Sequence, residues 1–483
     1  MLFKNSLILM FGSILGKLSL VFSQILLARF LGPYNYGTFI LGWTVLRISG
    51  IFSVFGIDKT VIFFGSKEFD GKNSLNKILS ISIFLSLFFS LFSSLIIYIF
   101  SNQISIFFSN DELLKILPFF CFVNFFYINN KILASFNRIK NKMFHSVLIE
   151  EFIQPISFTI IIILLYFLNE ISLFNILNFL LFTFFITSIF GVKFLYKFFP
   201  SYKFQLSTSN DYIKFIKHSF FTFSAGVSSM MLLWTDRLMI GKYCSSDLVG
   251  IYQACSQIVM IFAMIIMAIG LSVGPTISSF YHKNNLQQIS YIYKYCVNLI
   301  AYVCLPLIIS ILINSELFIS TIYGNEYSSG SLVLILLCIG KIIHIFCGPI
   351  GYILVLTNHQ KNWAILSFIV LVINIFLNNY LIPNYSIIGA GLSTSFSIII
   401  LFIIGSLYAN KKLNIKLFNY QSVKIFLCFI LTGIIMEILK YLFPYSLFGL
   451  ALFILVTFVI YITFTVFFKL NDNIFEFINK KSI

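Results

Sequence analysis

The sequence predicts an all-α integral membrane protein of about fourteen transmembrane helices. They form two six-helix bundles related by a pseudo-twofold axis along the membrane normal, plus two additional helices at the C-terminus. Three observations carry that expectation. Fourteen long apolar stretches run through 483 residues. Hydrophobic residues make up 59% of the chain and charged residues only 10%, far from the balance of a soluble domain. The connectors between the stretches alternate between lysine-rich and nearly lysine-free along the whole chain, and basic connectors stay in the cytoplasm. A wrong number of spans would break that alternation.

Each span needs about 20 apolar residues to cross the hydrocarbon. In order they lie near residues 6–29, 37–57, 78–100, 113–135, 144–168, 172–196, 216–240, 248–275, 291–313, 331–356, 363–382, 387–409, 422–442 and 446–468. The first is too long for a signal-peptide core and lacks a small-residue cleavage site, so it is expected to be retained. Basic connectors follow alternate spans: Lys59, Lys67, Lys72 and Lys77, then Arg138, Lys140 and Lys142, then Lys193, Lys197, Lys203, Lys214 and Lys217. The series continues with Lys283 and Lys294, then Lys361, then Lys411, Lys412, Lys416 and Lys424. With Lys4 and the tail residues Lys469, Lys480 and Lys481, these hold most of the 32 basic residues. Both termini are therefore expected in the cytoplasm of a bacterium, with the chain in its inner membrane. The opposite connectors are short and neutral or acidic, as at Asp111-Glu112, Glu170 and Glu316 to Glu326. A net charge of +16 distributed this way favours anionic lipid headgroups and does not indicate nucleic acid. The eight cysteines lie in or beside spans and are expected as apolar filler, with only Cys244 approaching the outer side.

Two halves are legible. No connector is long enough for an inserted soluble domain. The longest, about 197–215, is polar and basic and follows the sixth span. A shift of about 213 residues sets Gly32-Pro33-Tyr34-Asn35-Tyr36-Gly37 against Ser245-Ser246-Asp247-Leu248-Val249-Gly250. A shift of 221 sets Asn137-Arg138-Ile139-Lys140-Asn141 against Asn358-His359-Gln360-Lys361-Asn362. Both echoes fall at equivalent helix ends, which points to a parallel duplication. The expected domains are residues 1–200, 201–410 and an appendage of two helices and a tail at 411–483. Pro118, Pro155, Pro275, Pro306 and Pro349 lie within or beside spans and can kink them. Gly12-x-x-x-Gly16 and Gly270-x-x-x-Gly274 permit close helix approach.

Ionisable groups at membrane depth are expensive and are expected to face a cavity or a partner. Lys17 is central in the first span, where Ser13 and Gln24 can share its face. Arg47 is central in the second, one turn after Thr44. Lys131 shares a face with Asn124 and Tyr127. Lys341 and His344 stand at i and i+3, and Gly348 and Gly351 continue their face. Either these groups line a hydrated cavity or each is paired within its bundle, and Lys131 can also extend to the interface. Carboxylates are fewer. Glu150 and Glu151 open the fifth span, and Asp236 lies toward the outer end of the seventh, aligned with Thr222 and Ser229. Glu151 and Asp236 are the candidates for coupling to H+ or Na+, with structural pairing to a cation the competing reading. Glu437 and Lys440 are spaced as an intrahelical ion pair. Enzyme chemistry finds no support: there is no Gly-rich phosphate loop, no Cys/His metal spacing and no Gly-x-Ser-x-Gly. No cofactor or metal is expected.

Ala28-Arg29-Phe30-Leu31-Gly32-Pro33 with Tyr36-Gly37 resembles the first-span signature of bacterial polysaccharide and O-antigen flippases. Asp236-Arg237-Leu238-Met239-Ile240-Gly241 with Val249-Gly250-Ile251-Tyr252 carries the same resemblance. So does Ile382-Pro383 followed by Gly389-Ala390-Gly391-Leu392-Ser393-Thr394. These flippases belong to the MATE-like multidrug, oligosaccharidyl-lipid and polysaccharide exporter superfamily, and the resemblance covers roughly residues 1–410. It implies a V-shaped pair of six-helix bundles. It also implies transport of an undecaprenyl-pyrophosphate-linked oligosaccharide, such as an O-antigen, capsule or exopolysaccharide unit, from the cytoplasmic to the outer leaflet. On that reading Lys17, Arg47, Lys131, Lys341 and His344 offset the desolvation of the pyrophosphate in a central cavity. The partners are then the lipid-linked oligosaccharide, membrane lipids, a glycan polymerase and a chain-length regulator. A polysaccharide polymerase or ligase, a lipid II flippase and a cation-coupled drug exporter remain open as alternatives. The outer connectors are short for a polymerase, and deep cations outnumber the deep carboxylates that a cationic drug would need.

Overall fold

The structure is a computed structural model that describes the backbone of residues 2–67, 72–205, 207–414, 420–468 and 470. Side chains are described from residue 15 onward in those ranges, except at 67, 72–74, 225, 229 and 420. The side chains of Ser13, Ser229, Lys4, Lys67, Lys72, Lys416, Lys469, Lys480 and Lys481 therefore lie outside the described residues.

Among the described residues every regular element is helical. The first part of the chain forms α1 (Leu2–Val54), α2 (Ile57–Lys67), α3 (Lys72–Ile99), α4 (Ser101–Phe107) and α5 (Asp111–Ile139). It continues through α6 (Met143–Val147), a π-helical turn (Leu148–Phe152), α7 (Ile153–Phe167), α8 (Leu173–Phe198) and α9 (Ser209–Tyr243). Then come α10 (Ser246–His282), α11 (Leu286–Ile313), α12 (Ser315–Tyr323), α13 (Ser331–Cys347), α14 (Ile350–Leu356) and α15 (Gln360–Leu413). The last two are α16 (Tyr420–Leu439) and α17 (Leu447–Phe467).

Among the described residues, eleven helical stretches are long and apolar enough to cross a membrane, and two of them double back. In α1 the helical geometry breaks at Gly32, with φ 72° and ψ 169°. One straight helix would hold Gln24 and Tyr36 roughly 18 Å apart. Instead Tyr36 Oη donates to Gln24 Oε1 at 3.0 Å. In α15 the break is at Ser386, with φ 52° and ψ −136°. There Asn374 Nδ2 donates to Ser397 Oγ at 3.2 Å across 23 residues, a separation of roughly 35 Å in a straight helix. With each hairpin taken as two spans and α9 as the remaining long helix, the layout is consistent with the fourteen expected. Gly32 occupies a backbone region open essentially to glycine alone. Gly32→Ala is therefore expected to cost about 1–3 kcal/mol, seen as a lower melting temperature of the detergent-purified protein; an unchanged temperature would contradict the hairpin.

Two expected spans are not continuous helices. The span near 331–356 breaks at Gly348 (φ 54°) and Pro349, separating α13 from α14. The span near 144–168 opens on α6 and the π turn before α7 begins. Pro155 has no N–H to offer the Glu151 carbonyl one turn back. Gly16 packs on that same carbonyl so closely that a Cβ would collide with it. Pro118, Pro275 and Pro306 are accommodated inside α5, α10 and α11.

The chain divides into two compact units, Met1–Gly250 and Ile251–Ile483. In the first, Ile57, Val61, Leu79, Ile132, Phe136 and Leu195 form one buried cluster. In the second, Ile289, Tyr293, Cys296, Ile350, Ile353 and Ala409 form another. Lipid is as apolar as leucine, so helices associate here through close packing and interhelical hydrogen bonds. Helix α3 is the clearest case. Phe88, Leu91, Phe92 and Leu95 form an exposed stripe, while Ser82, Ser86, Ser90 and Ser93 are buried on another. Asn129 Oδ1 accepts from Ser86 at 3.0 Å and Asn124 Nδ2 donates to Ser93 at 2.8 Å, joining α3 to α5. The eight cysteines are free and seven are buried, as apolar filler would be.

The two echoed segments meet each other. A Cβ on Gly37 would collide with the Ser246 carbonyl, and one on Gly250 with the Pro33 carbonyl. With the 213-residue shift, Pro33 corresponds to Ser246 and Gly37 to Gly250. The contact is thus reciprocal, the pattern of two segments facing across a twofold. At the start of α9, Thr208 and Asp211 form a capping box, each side chain bonding the other's backbone N–H. The Thr208 hydrogen bonds hold the Asp211 carboxyl below its ordinary value of 3.8. This cap therefore persists at neutral pH and is lost as pH falls below that value.

Candidate functional site

One stripe of α5 organises the charged groups of the first unit. Asn124, Tyr127, Lys131 and Arg138 are spaced at i, i+3, i+7 and i+14, and so repeat on one face over about 21 Å. At the C-terminal end of the series Arg138 pairs with Glu150 on the π turn, and its Nε donates to Ser146 Oγ at 2.9 Å. Lys131 Nζ stands 3.6 Å from Asp58 on α2, both side chains largely buried. Tyr127 Oη accepts from Arg47 at 2.9 Å. Beyond it Asn124 Oδ1 accepts from Ser49 Oγ at 3.3 Å.

Arg47 has the least complete partnership of these cations. Its guanidinium lies 4.9 Å from the ring centre of Trp43, 5.1 Å from Tyr127 and 5.8 Å from Trp234. Its Nε is buried without a hydrogen-bond partner, and it makes no ion pair among the described residues. Aromatic faces offset only part of the cost of holding a cation away from water. An incoming anion would supply what the protein leaves out. Between the second arm of α1, α4 and α9 lies a largely apolar cavity of about 400 Å³, which reaches the sequence neighbours of Arg47 but not Arg47 itself. Val45, Ile48, Phe100, Phe107, Phe108 and Leu238 line it.

The other expected residues divide into several environments. Lys17 is half-buried and makes no ion pair among the described residues. Gln24, expected on its face, accepts a hydrogen bond from Tyr36 across the α1 hairpin. Thr44 donates to its own helix at the Ile40 carbonyl. Glu151 has a buried carboxylate oxygen, Oε2, without a partner. Asp236 is buried on α9, whereas Thr222 of the same helix donates to the Gly56 carbonyl at 3.1 Å. In the second unit Lys341 is half-buried on α13, and its described carboxylates are Glu316, Glu326 and Glu437. None of these pairs with Lys341, and Glu437 forms the expected pair with Lys440. His344 stacks on Phe402 at 3.6 Å between ring centres, with Nδ1 buried and unpartnered. Within the first unit the structure gathers Arg47 and Lys131 into one series, while Lys17 lies on the first arm of α1 and Lys341 and His344 belong to the second unit.

Sequence reasoning passed over Asp58, Tyr127's role as acceptor, and the Arg138–Glu150 pair. Asp58 stands beside Lys59 in a connector counted for its basic charge. The i, i+4, i+11 spacing of Tyr127, Lys131 and Arg138 was the available signal.

Known proteins agree with this architecture. Residues 26–331 match the family described as polysaccharide biosynthesis protein. A putative O-antigen transporter of Shigella flexneri is 24% identical over 82% of this chain and 95% of its own. A probable low-salt glycan biosynthesis flippase, Agl15 of Haloferax volcanii, is 25% identical over 46% of each chain. The chain thus spans about half the length of that haloarchaeal relative. Among solved structures, the lipid II flippase MurJ in an inward closed conformation superposes with a TM-score of 0.77 at 20% identity. The match covers 96% of this chain and 99% of that one. An inward-facing multidrug resistance MATE transporter gives 0.70 at 12% identity, over 83% and 94%. These relatives are transporters and flippases, in line with the expected absence of covalent chemistry. The fold is that of MurJ and the MATE transporters, and the chain belongs to the polysaccharide biosynthesis protein family.

Proposed function

We propose that this protein is a flippase for an undecaprenyl-pyrophosphate-linked oligosaccharide. It moves an O-antigen, capsule or exopolysaccharide repeat unit from the cytoplasmic to the outer leaflet by alternating access. The observation that carries this reading is Arg47: a cation central in its span, held by rings, with a buried unpartnered Nε and no carboxylate partner among the described residues. A pyrophosphate is the complementary ligand, because its oxygens accept charge-assisted hydrogen bonds from a guanidinium fork. The largely apolar cavity lined by Val45, Ile48 and Leu238 suits the first isoprene units of the lipid carrier. Lys17, Lys131, Lys341 and His344 offset the charge at other points of the path. Glu151 and Asp236 are the carboxylates through which H+ or Na+ couples to transport. The protein works in the inner membrane with both termini cytoplasmic, alongside a glycan polymerase and a chain-length regulator.

The direct test is translocation in proteoliposomes carrying the lipid-linked oligosaccharide in the leaflet away from a membrane-impermeant glycosidase. Protein-dependent exposure of the glycan is expected. Protection equal to that in empty vesicles would reject the reading, and exposure of lipid II alone would transfer it to that substrate.

Asp58 gives the reading a sign. If Lys131 receives phosphate, Asp58 competes with the substrate for that ammonium. Asp58→Asn is then expected to tighten binding of a prenyl pyrophosphate by about fivefold or more, since a largely buried pair exceeds the ~1 kcal/mol ceiling of an exposed one. Weaker binding, measured by titration of the purified protein, would make Asp58 a structural anchor instead.

A further inference from the structure

We propose that the cytoplasmic ends of α5, α6 and α8 form a binding site for an anionic glycerophospholipid headgroup. The inference goes beyond the transport reading and does not rest on it. Lys142 at the start of α6 and Lys193 and Lys197 near the end of α8 are all exposed. Lys142 Nζ lies 5.6 Å and Lys197 Nζ 5.7 Å from the ring centre of Phe198, so two ammonium groups converge on one ring. His145 packs edge-on against Phe194 and Phe198, at 4.7 Å from each. Phe190, Phe194 and Phe198 then run down α8 with successive ring centres 6.3 and 6.2 Å apart.

The like charges of Lys142 and Lys197 on one ring repel each other, Lys193 lies one turn before Lys197 on the same helix, and the described residues supply no carboxylate for them. None of Lys142, Lys193 and Lys197 makes an ion pair among the described residues, and Glu150, just over a turn past His145, is engaged by Arg138. The neighbouring apolar side chains Phe144, Val192 and Tyr196 are exposed, as lipid-facing groups are. An ammonium cluster above an aromatic column at the basic membrane face complements a phosphate above acyl chains. A soluble acidic partner would match the charge but not the exposed rings below it. The ligand is therefore a membrane lipid, with its phosphate between Lys142 and Lys197 and its chains along α8.

The test is native mass spectrometry of the full chain in detergent, titrated with cardiolipin or phosphatidylcholine. Cardiolipin should be retained and phosphatidylcholine lost. Each lysine near an anionic surface contributes roughly fivefold, so Lys142→Gln, Lys193→Gln and Lys197→Gln together should weaken cardiolipin binding on the order of a hundredfold. Lys197→Gln alone should give roughly fivefold, which keeps the test decisive if the triple variant folds poorly. Lys411→Gln with Lys412→Gln, on the second unit, should leave binding within about twofold, against fivefold per lysine at a true site. Unchanged affinity in both the triple and single variants would overturn the proposal. So would an equal loss in the Lys411/Lys412 control, or displacement of cardiolipin by equimolar inorganic phosphate.

Discussion

Arg47→Gln is expected to lower affinity for the lipid-linked pyrophosphate about a hundredfold and to abolish measurable translocation. The magnitude follows from the loss of charge-assisted hydrogen bonds worth about 1.5–3 kcal/mol each. Glutamine keeps most of the packing between Trp43 and Tyr127 but carries no charge, so the protein should remain folded. Indeed, removing a half-buried cation with no carboxylate partner among the described residues relieves a cost, and the melting temperature of the empty protein should hold or rise. Arg47→Lys should fall between, because lysine restores the charge without the planar fork that matches a phosphate. Transport by Arg47→Gln at the wild-type rate would remove the guanidinium from the mechanism. A large fall in melting temperature would instead make it a structural cation held by its three aromatic neighbours.

Gly250→Val should prevent accumulation of monodisperse protein. A Cβ at Gly250 would run into the Pro33 carbonyl and stand 3.1 Å from the Gly37 backbone nitrogen, and backbone atoms cannot move aside as side chains do. Overpacking typically costs about 1–3 kcal/mol, and more where backbone meets backbone. The reciprocal change, Gly37→Val, meets the Ser246 carbonyl and should fail in the same way. Gly433→Ala is the control, since nothing lies within 4 Å of an added Cβ there. It should be neutral or stabilise α16 by up to about 1 kcal/mol, from helix propensity. Size-exclusion profiles of the three variants decide the matter, and a symmetric peak for Gly250→Val would refute the close contact.

The parts of the fold legible in the sequence are those set by long-range averages. Lysine alternation orders the spans, and the echoes at Gly37 and Gly250 mark the segments that meet. What stayed hidden depends on which way a side chain faces after the chain turns. Gln24 shares a helical face with Lys17, and the Tyr36 that donates to it arrives only because the chain turns back at Gly32. Asp58 looks like one acid in a basic connector until α2 carries it to Lys131. The π turn at Leu148–Phe152 changes the register of Glu150 and Glu151, which periodicity alone does not report. Pro155 was its one trace in the sequence. Arg47, by contrast, was legible because an arginine central in an apolar span needs an explanation wherever it faces.

The three tryptophans offer the most direct measurement of the central claim. Trp43 and Trp234 flank Arg47, and Trp363 packs against Phe402 in the second unit. In a Trp363→Phe background, fluorescence excited selectively at tryptophan therefore reports on Trp43 and Trp234 at the Arg47 site. Titration with the prenyl-pyrophosphate oligosaccharide should give a saturable change that the matching uncharged prenol glycoside does not, and Arg47→Gln should remove it. An equal response to both lipids, or none to either, would contradict the account.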